Sequence, residues 1–370
     1  MTGTGPVGVG LIGAGNISSQ YLDNLANFPD VNVLFIADID VERAAAQAAI
    51  YGVPGSGTVE ELLADPRIEI VINLTIPAAH VEVALRALAA GKNVWTEKPI
   101  ALDRESGAAL LADAASRGLR VATAPDTFLG QALQTSKRLI EDGRIGTPLT
   151  ALVLFQAGGP ESWHPNPDFL FAEGAGPLFD MGPYYLTALV QNLGPVKRVA
   201  ASASKSRETR VIGTGPRAGQ EFAVEVPTHL GALLEFESGA SAQCTFSFQS
   251  TVRRTVLEIA GTHGTLQFAD PNNFEGDIVL SEEGRMAPET ITTVSIGGRG
   301  TGVVELARAI RADVAERASG QQAFHVLDVM ASISEASASG EFVDVRSTVA
   351  AASALPEGWD PRDQTLFLDQ

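Results

Sequence analysis

The stretch VGVGLIGAGNIS (Val7–Ser18) constrains this chain more than any other. Six apolar residues, Val7–Ile12, read as a buried strand and run straight into a turn with glycines at 13 and 15. A helical pattern follows to about Phe28, and a second apolar run, Val31–Asp40, ends in acids. Strand, glycine turn, helix, strand and acid in that order are the pattern of a dinucleotide-binding βαβ unit. Gly13 permits the tight turn, and Gly15 lets a diphosphate approach the backbone and the helix N-terminus. Asn16 and Ile17 complete the turn that would hold the cofactor. Ser18 stands where a third glycine is usual, and its small side chain still permits close packing of helix and strand. Asp38 follows near the customary spacing of about 20 residues. Its carboxylate would accept from a ribose diol and repel a 2′-phosphate, so NAD is expected in preference to NADP.

The alternation continues. Asp40 predicts a capped helix to Ile50, ended by Gly52. Thr58 and Glu61 form a capping box. Ile68–Thr75 reads as a third strand, and Val81, Leu85 and Leu88 place one face on a helix stopped by Gly91. Asn93–Thr96 is a fourth strand. Asp103 opens the next helix, with Ala108, Leu111, Ala112 and Ala115 on one face and Gly118 at its end. Leu119–Pro125 is a fifth strand. Strands alternating with helices imply an α/β Rossmann domain with a doubly wound parallel sheet over residues 1–128. Ligands of such sheets sit beyond the strands' carboxyl ends. Gly13–Ser18, Thr75–His80, Glu97–Pro99 and Asp126–Phe128 therefore face one crevice, and Lys98, in WTEKPIALD, lies at its mouth.

From about Thr147 the pattern changes. Leu149–Ala157, Val196–Ser204, Gly231–Phe248 and Thr255–Ala269 read as strands, with hairpin turns at Ser238-Gly239 and His263-Gly264. Consecutive strands predict a mostly antiparallel sheet, open or covered on one face, in an α+β domain over residues 129–370. A helical stretch, Leu178–Asn192, interrupts them. Two late helical patterns, near Val303–Arg317 and Gln322–Ser339, are expected to return to the first domain.

Composition narrows the partners. With a formal net charge of −18 the chain repels phosphate backbones, so nucleic acid is not expected and a small molecule is. Cys244 is the only cysteine, and His229, His263 and His325 lack ligand spacing, so no disulfide and no metal site are expected. No G-x-S-x-G elbow occurs. No apolar window reaches the ~18 residues of a membrane span, and the first residues have no signal-peptide pattern. The cytoplasm is the expected location, without membrane association.

IGAGNIS, ADID, TIPAAH, TEKPI, GAGPLFDMGPYYL and GTHGTLQF run in this order along most of the chain. On these segments the sequence resembles the Gfo/Idh/MocA family of NAD(P)-dependent sugar and inositol oxidoreductases. The resemblance implies a Rossmann domain followed by an open-faced sheet that holds substrate. It also implies a homodimer or homotetramer formed through that sheet face. Lys98 matches the family's active-site lysine, and Asp180 the aspartate that opens a D-x-G-x-H stretch. Tyr184 departs from the pattern, standing where histidine is usual. Thr75, Pro77 and His80 match a loop that shapes the cofactor pocket, Glu97 belongs to the same motif as Lys98, and a cis peptide is implied before Pro99.

These positions suit hydride transfer between a sugar, glycoside or polyol carbinol and nicotinamide. The hydroxyl proton must leave as hydride leaves the same carbon. Lysine serves as the base only if desolvation or nearby positive charge lowers its pKa. Asp180 would orient the hydroxyl or the lysine. Tyr184 has three readings: proton relay, hydrogen bond to the sugar, or packed helix tyrosine. In the loop GGPESWHPNPDFLF (Gly158–Phe171), Trp163 could cover a sugar face and His164 or Asn166 could read hydroxyls; a surface loop pinned by one tryptophan is the plainer reading. Asp126 and Thr127 are candidates for contact with the nicotinamide ribose or the substrate, with a strand-end cap as the plainer reading, and Tyr185 is a candidate for substrate contact. Two other functions fit the same motifs: an NAD-dependent glycosidase-type reaction without net redox, and a non-catalytic regulator that senses NAD or sugar.

Overall fold

A computed structural model describes residues 4–368. The chain forms two compact units. One comprises the chain up to Gln134, Val294–Phe324 and the segment from Ala352; the other comprises Thr135–Thr293 and His325–Ala351.

The first unit is built on six strands: β1 Val7–Ile12, β2 Val31–Ala37, β3 Gly55–Gly57, β4 Ile70–Asn73, β5 Asn93–Thr96 and β6 Val121–Thr123. They pair in parallel in the order β3-β2-β1-β4-β5-β6. β1 and β4 are buried along their whole length, as continuous apolar runs require when helices cover both faces of a sheet. The chain order reverses between β1 and β4, so their carboxyl ends form the switch-point crevice. Helices α1 Asn16–Leu25, α2 Val41–Tyr51, α3 Val59–Ala64, α4 His80–Ala89 and α5 Arg104–Arg117 lie between the strands, and α6 Gln131–Glu141 follows β6, its residues from Thr135 on belonging to the second unit. Their ends carry the anticipated signals. Asp40 accepts from Arg43 N–H, Thr58 and Glu61 form the capping box, Asp103 accepts from Ser106 N–H, and Gly52 and Gly118 close their helices in the left-handed conformation.

Two helix faces differ from the sequence expectation. In α4 the buried stripe is His80, Val83, Ala84, Ala87 and Leu88, with Val81 and Leu85 at its edge. In α5 it is Gly107, Leu110 and Ala114, while Ala108, Ala112 and Ala115 are exposed. Alanine-rich helices offer two equivalent stripes, and adjacent leucines at 110 and 111 leave the period ambiguous.

The second unit contains β7 Pro148–Gln156, α7 Gly176–Leu193, β8 Val196–Ser204, β9 Thr209–Val211, β10 Glu221–Ala223, β11 His229–Phe236, β12 Ser241–Ser247, β13 Arg254–Gly261, β14 Gly264–Gln267, β15 Gly276–Glu282 and β16 Glu289–Thr293. α8 Thr301–Ala312 belongs to the first unit; α9 Gly320–Ser339 starts in the first unit and from His325 on belongs to the second, as does β17 Val343–Asp344, so of the two late helices only α8 returns wholly to the first unit. Nine strands form one sheet in the order β16-β15-β14-β13-β7-β12-β11-β8-β17, and β9 and β10 form a separate ribbon. Only the β7–β12 pairing in the large sheet is parallel. One face buries Val153, Phe155, Leu234, Phe246, Leu257 and Ile259, and α7 packs on β7, β11 and β12. On the alternate positions Thr150, Leu152, Leu154 and Gln156 of β7 are exposed or half-exposed. α7 is continuous through Pro183. In α9, His325 Nε2 accepts from Val196 N–H (3.0 Å), and its Nδ1 lies 2.9 Å from Ser347 Oγ; this is a structural role. Among the described residues, no helix is long and apolar enough to cross a membrane.

Within the first unit, α8 is fastened at its N-terminus. Asp126 Oδ2 accepts the N–H groups of Gly300 (2.8 Å) and Gly302 (3.1 Å), and Arg299 Nη1 lies 3.8 Å from Oδ1. A Cβ on Gly302 would run into the Trp95 ring, so glycine sets how closely α8 approaches β5. Asp126 is wholly buried, and burial raises its pKa to about 6 although Arg299 and the two N–H groups oppose the shift. The folded state therefore holds a proton that the unfolded chain, with a carboxyl near 3.8, releases earlier. The resulting stability is complete below about pH 4 and is lost as pH rises through about 6. Relative to Asp126→Asn, the wild type should lose about 3 kcal/mol of stability over that interval, measured by urea unfolding at a series of pH values. A difference that does not vary with pH would contradict the assignment.

Candidate active site

The glycine turn is shaped by what lies beside it. Gly13 has φ +103°, and a Cβ there would stand 2.6 Å from the Leu74 carbonyl oxygen at the end of β4. Gly15 caps α1 with extended backbone and no side-chain cap, and a Cβ on it would meet nothing within 4 Å. The first N–H groups of α1, at Asn16 and Ile17, thus begin at open space, the arrangement that receives a diphosphate. Ser18 is buried and donates from Oγ to the Gly15 carbonyl (2.6 Å), so its hydroxyl is satisfied in the space where glycine was expected.

Asp38 follows β2. Its carboxylate accepts the N–H of Ala14 (2.7 Å) and of Asp40 (2.9 Å) and pairs with the Arg43 guanidinium. Burial pushes this carboxyl up, but the bonds from Arg43, Asp40 and Ala14 outweigh it, and the net shift is downward. Asp38 is therefore an anion at the edge of the glycine turn, with Arg43, whose side chain is 48% exposed, beside it. These features fit NAD: a glycine that tolerates no side chain, an uncapped helix start and an anionic acceptor at the end of β2. Arg43 escaped the sequence reading, although a basic residue five positions after the acid was visible there.

At the end of β4, Asn73 organises the next loop. Its Oδ1 accepts the Thr75 hydroxyl (2.7 Å), and its Nδ2 donates to the His80 carbonyl (3.0 Å). Pro77 begins a short 3-10 turn, Pro77–Ala79. His80, expected at the cofactor, is instead buried: Nδ1 lies 2.7 Å from the Pro99 carbonyl and Nε2 3.0 Å from the Thr75 carbonyl. Burial lowers its pKa, and the two carbonyls only partly restore it. Its hydrogen-bonding capacity is used within the protein, so it shapes the loop from behind.

Glu97, Lys98 and Pro99 leave the carboxyl end of β5, and the Lys98–Pro99 peptide is cis, as the resemblance implies. Glu97 N–H bonds the Asn73 carbonyl (2.9 Å). Glu97 Oε1 accepts from the Tyr21 hydroxyl (2.7 Å), and Oε2 accepts the Lys98 N–H (3.1 Å). Tyr21 in turn accepts from Trp95 Nε1 (3.1 Å). Lys98 is half-buried. Gly13, Gly15, Asp38, Thr75, Glu97 and Lys98 thus all lie at the carboxyl ends of adjacent parallel strands. No sequence motif pointed to Tyr21 or Asn73.

In the second unit, Asp180 and Tyr184 stand one turn apart on α7, Asp180 half-buried and Tyr184 buried. The loop Gly158–Phe171 is tied down by two arginines. Arg210 of β9 donates to the carbonyls of Gly158 (2.9 Å) and Phe248 (2.7 Å) and pairs with Glu161; Arg217 makes a two-pronged pair with Asp168. Trp163, held 67% exposed, meets His164 edge-on (5.6 Å), and His164 meets Phe169 (5.4 Å). Asn166 is exposed and donates its N–H to His164 Nδ1 (3.1 Å). Trp163, His164 and Asn166 therefore sit together on one ordered loop. Two candidates for substrate contact are corrected. Tyr185 is wholly buried, 5.9 Å from the Phe246 ring and 6.1 Å from Phe155, because the half of α7 that packs on the sheet includes it. Asp126 is wholly buried at the start of α8. Among the described residues, no group of three His, Cys, Asp or Glu could hold a metal ion.

Comparison with known proteins matches the site's description. The oxidoreductase family with an NAD-binding Rossmann fold matches residues 7–124, and the Gfo/Idh/MocA C-terminal domain matches residues 133–267. A 1,5-anhydro-D-fructose reductase of Ensifer adhaerens is 29% identical over 70% of this chain and 74% of its own length. A trans-1,2-dihydrobenzene-1,2-diol dehydrogenase of Sus scrofa is 28% identical over 75% and 79%. Among solved structures, a levoglucosan dehydrogenase in complex with NADH and L-sorbose superposes with a TM-score of 0.80 at 22% identity, covering 93% of this chain and 100% of that one. With residues 7–124 and 133–267 matched by the family's own two domains, this protein is a member of the Gfo/Idh/MocA family of NAD-binding oxidoreductases.

Proposed function

We propose that the protein interconverts a secondary alcohol and a ketone on a sugar or cyclic polyol, with NAD as the hydride carrier. The observation that carries this reading is Lys98, set beside Glu97 at the carboxyl end of β5, in the same row of strand ends as the glycine turn and Asp38. The named relatives support the substrate class, one being a reductase of an anhydro sugar and one a dehydrogenase of a ring diol.

Bound oxidised nicotinamide supplies the hydride acceptor and a positive charge. Lys98 takes the carbinol proton on oxidation and returns it to the ketone oxygen on reduction; the nearby cation favours its neutral form. In the second unit, Asp180 and Tyr184, the latter in place of the family's histidine, and Trp163, His164 and Asn166 on one ordered loop are the candidates for contact with the sugar. Lys98→Met should lower kcat by roughly a hundred- to ten-thousand-fold. NADH affinity should stay within a few-fold, the two being followed by NADH absorbance across a panel of cyclic sugars and by fluorescence titration. Wild-type turnover in that variant would exclude the role.

NAD is the preferred coenzyme in this reading because the Asp38 carboxylate would face a 2′-phosphate. Arg43 is held by Asp38 and becomes available once that anion is gone. Asp38→Ser should therefore shift the kcat/KM ratio toward NADP by roughly tenfold or more, the scale of a charge-assisted hydrogen bond. Adding Arg43→Ala should remove most of the gain. An unchanged ratio in Asp38→Ser would contradict this account of selectivity.

The outward face of the nine-stranded sheet supports a homo-oligomer. Leu152 and Leu233, each 37% exposed, flank Gln243 across neighbouring strands. A second copy docked there would cover them. Leu152→Asp with Leu233→Asp should convert a dimer or tetramer to monomer in sedimentation velocity; a wild-type monomer at tens of micromolar would rule the interface out.

A further inference from the structure

Three residues, Glu97-Lys98-Pro99, form the strap that carries Lys98 away from β5, and groups from elsewhere in the first unit grip it on both sides. On the amino side the chain of donors runs from Trp95 Nε1 to the Tyr21 oxygen (3.1 Å) and from the Tyr21 hydroxyl to Glu97 Oε1 (2.7 Å). It ends with Lys98 N–H donating to Glu97 Oε2 (3.1 Å). On the carboxyl side, His80 Nδ1 lies 2.7 Å from the Pro99 carbonyl. Tyr21, Trp95 and His80 are all buried.

The direction of this relay is fixed by chemistry. An indole N–H only donates, so the Tyr21 oxygen accepts and its own proton must go to the carboxylate. Burial, reinforced by Glu97 and Asp126, raises the Tyr21 pKa well above that of a free phenol and keeps the proton in place. Tyr21 is thus a permanent donor across the working pH range. A hydroxyl bonded to a carboxylate is among the stronger hydrogen bonds, and it holds one Glu97 oxygen while the other holds the Lys98 backbone.

We propose that Tyr21 is a positioning residue for Lys98, acting through the Glu97 carboxylate, with His80 holding the far end of the strap. The proposal rests on the reading of Lys98 as the proton-handling group. Without the Tyr21 hydroxyl, Glu97 loses its anchor and can turn toward the Lys98 ammonium. That would displace the amine and raise its pKa, leaving less of the neutral form.

Tyr21→Phe tests this, because it keeps the ring and removes the hydroxyl that accepts from Trp95 Nε1 and donates to Glu97. In the free protein, the pH dependence of Lys98 acylation, read by peptide mass spectrometry, should move upward by about one pH unit. With NAD and substrate, kcat should fall roughly tenfold while KM for NAD changes less than about twofold, and the melting temperature should fall by only a few degrees, because the buried Trp95 N–H loses its acceptor. Unchanged acylation and unchanged kcat overturn the proposal. Lys98→Met, assayed in parallel, separates the two levels. If it is inactive while Tyr21→Phe behaves as wild type, the positioning role alone fails; if it is fully active, the reading of Lys98 and this proposal fail together. Should Tyr21→Phe fold poorly, Glu97→Gln serves instead. Its one amide oxygen can replace only one of the two carboxylate oxygens that accept from Tyr21 and Lys98 N–H, so the grip on the strap is broken and the same loss of kcat is expected; wild-type kcat in a folded Glu97→Gln overturns the proposal.

Discussion

The first unit depends on a close approach between two backbones. Gly13, at φ +103°, passes so near the Leu74 carbonyl that no side chain fits between them. That contact joins the ends of β1 and β4 where the sheet reverses its strand order, and it leaves α1 to begin at open space. Everything assigned to the cofactor side is then a neighbour by construction. Asp38 ends β2 and bonds the Ala14 N–H, Asn73 ends β4 and arranges Thr75 and His80, and Glu97 leaves β5 bonded to Asn73. The parallel sheet aligns these ends, and side chains at them need only short reaches to meet.

Asp38, Glu97 and Asn73 are all hydrogen-bonded within the first unit. Asp38 stays ionised because backbone N–H groups and Arg43 outweigh desolvation. Asp126 goes the other way, since two glycine N–H groups and a more distant arginine do not offset full burial. Burial lowers the His80 pKa, and the two carbonyls facing its ring, which favour the protonated form, only partly offset that. The same residue types thus take opposite protonation habits according to what surrounds them, and the strap that carries Lys98 is supported from behind by groups that do not need to change state.

Much of the fold was legible in the sequence because its signals are local. Asp40, Thr58 with Glu61, and Asp103 cap helices where the pattern places them, and β1, β5 and β8 occupy the anticipated residues. The misses have physical reasons. β3 is three residues, Gly-Ser-Gly, with no apolar side chain to betray it. β15 and β16 are half-exposed, and threonines and acids blur their alternation. At the site, the glycines, Asp38 and Lys98 could be read because their chemistry depends on type and spacing. Tyr21 could not, since its bond to Glu97 joins residues far apart in the chain. Tyr185 and Asp126 were misjudged for a related reason: proximity in sequence to a functional residue says nothing about which side of a helix or strand end faces the core.

The central claim is that this fold moves a hydride between a carbinol carbon and nicotinamide. The most direct measurement supplies NAD together with cyclic sugars or polyols deuterated at each candidate carbinol carbon and follows the label by mass spectrometry. The account predicts deuterium at nicotinamide C4 and a matching ketone product from at least one ring alcohol. Saturable NAD binding with no label transferred from any of them, and none returned to substrate, would contradict it.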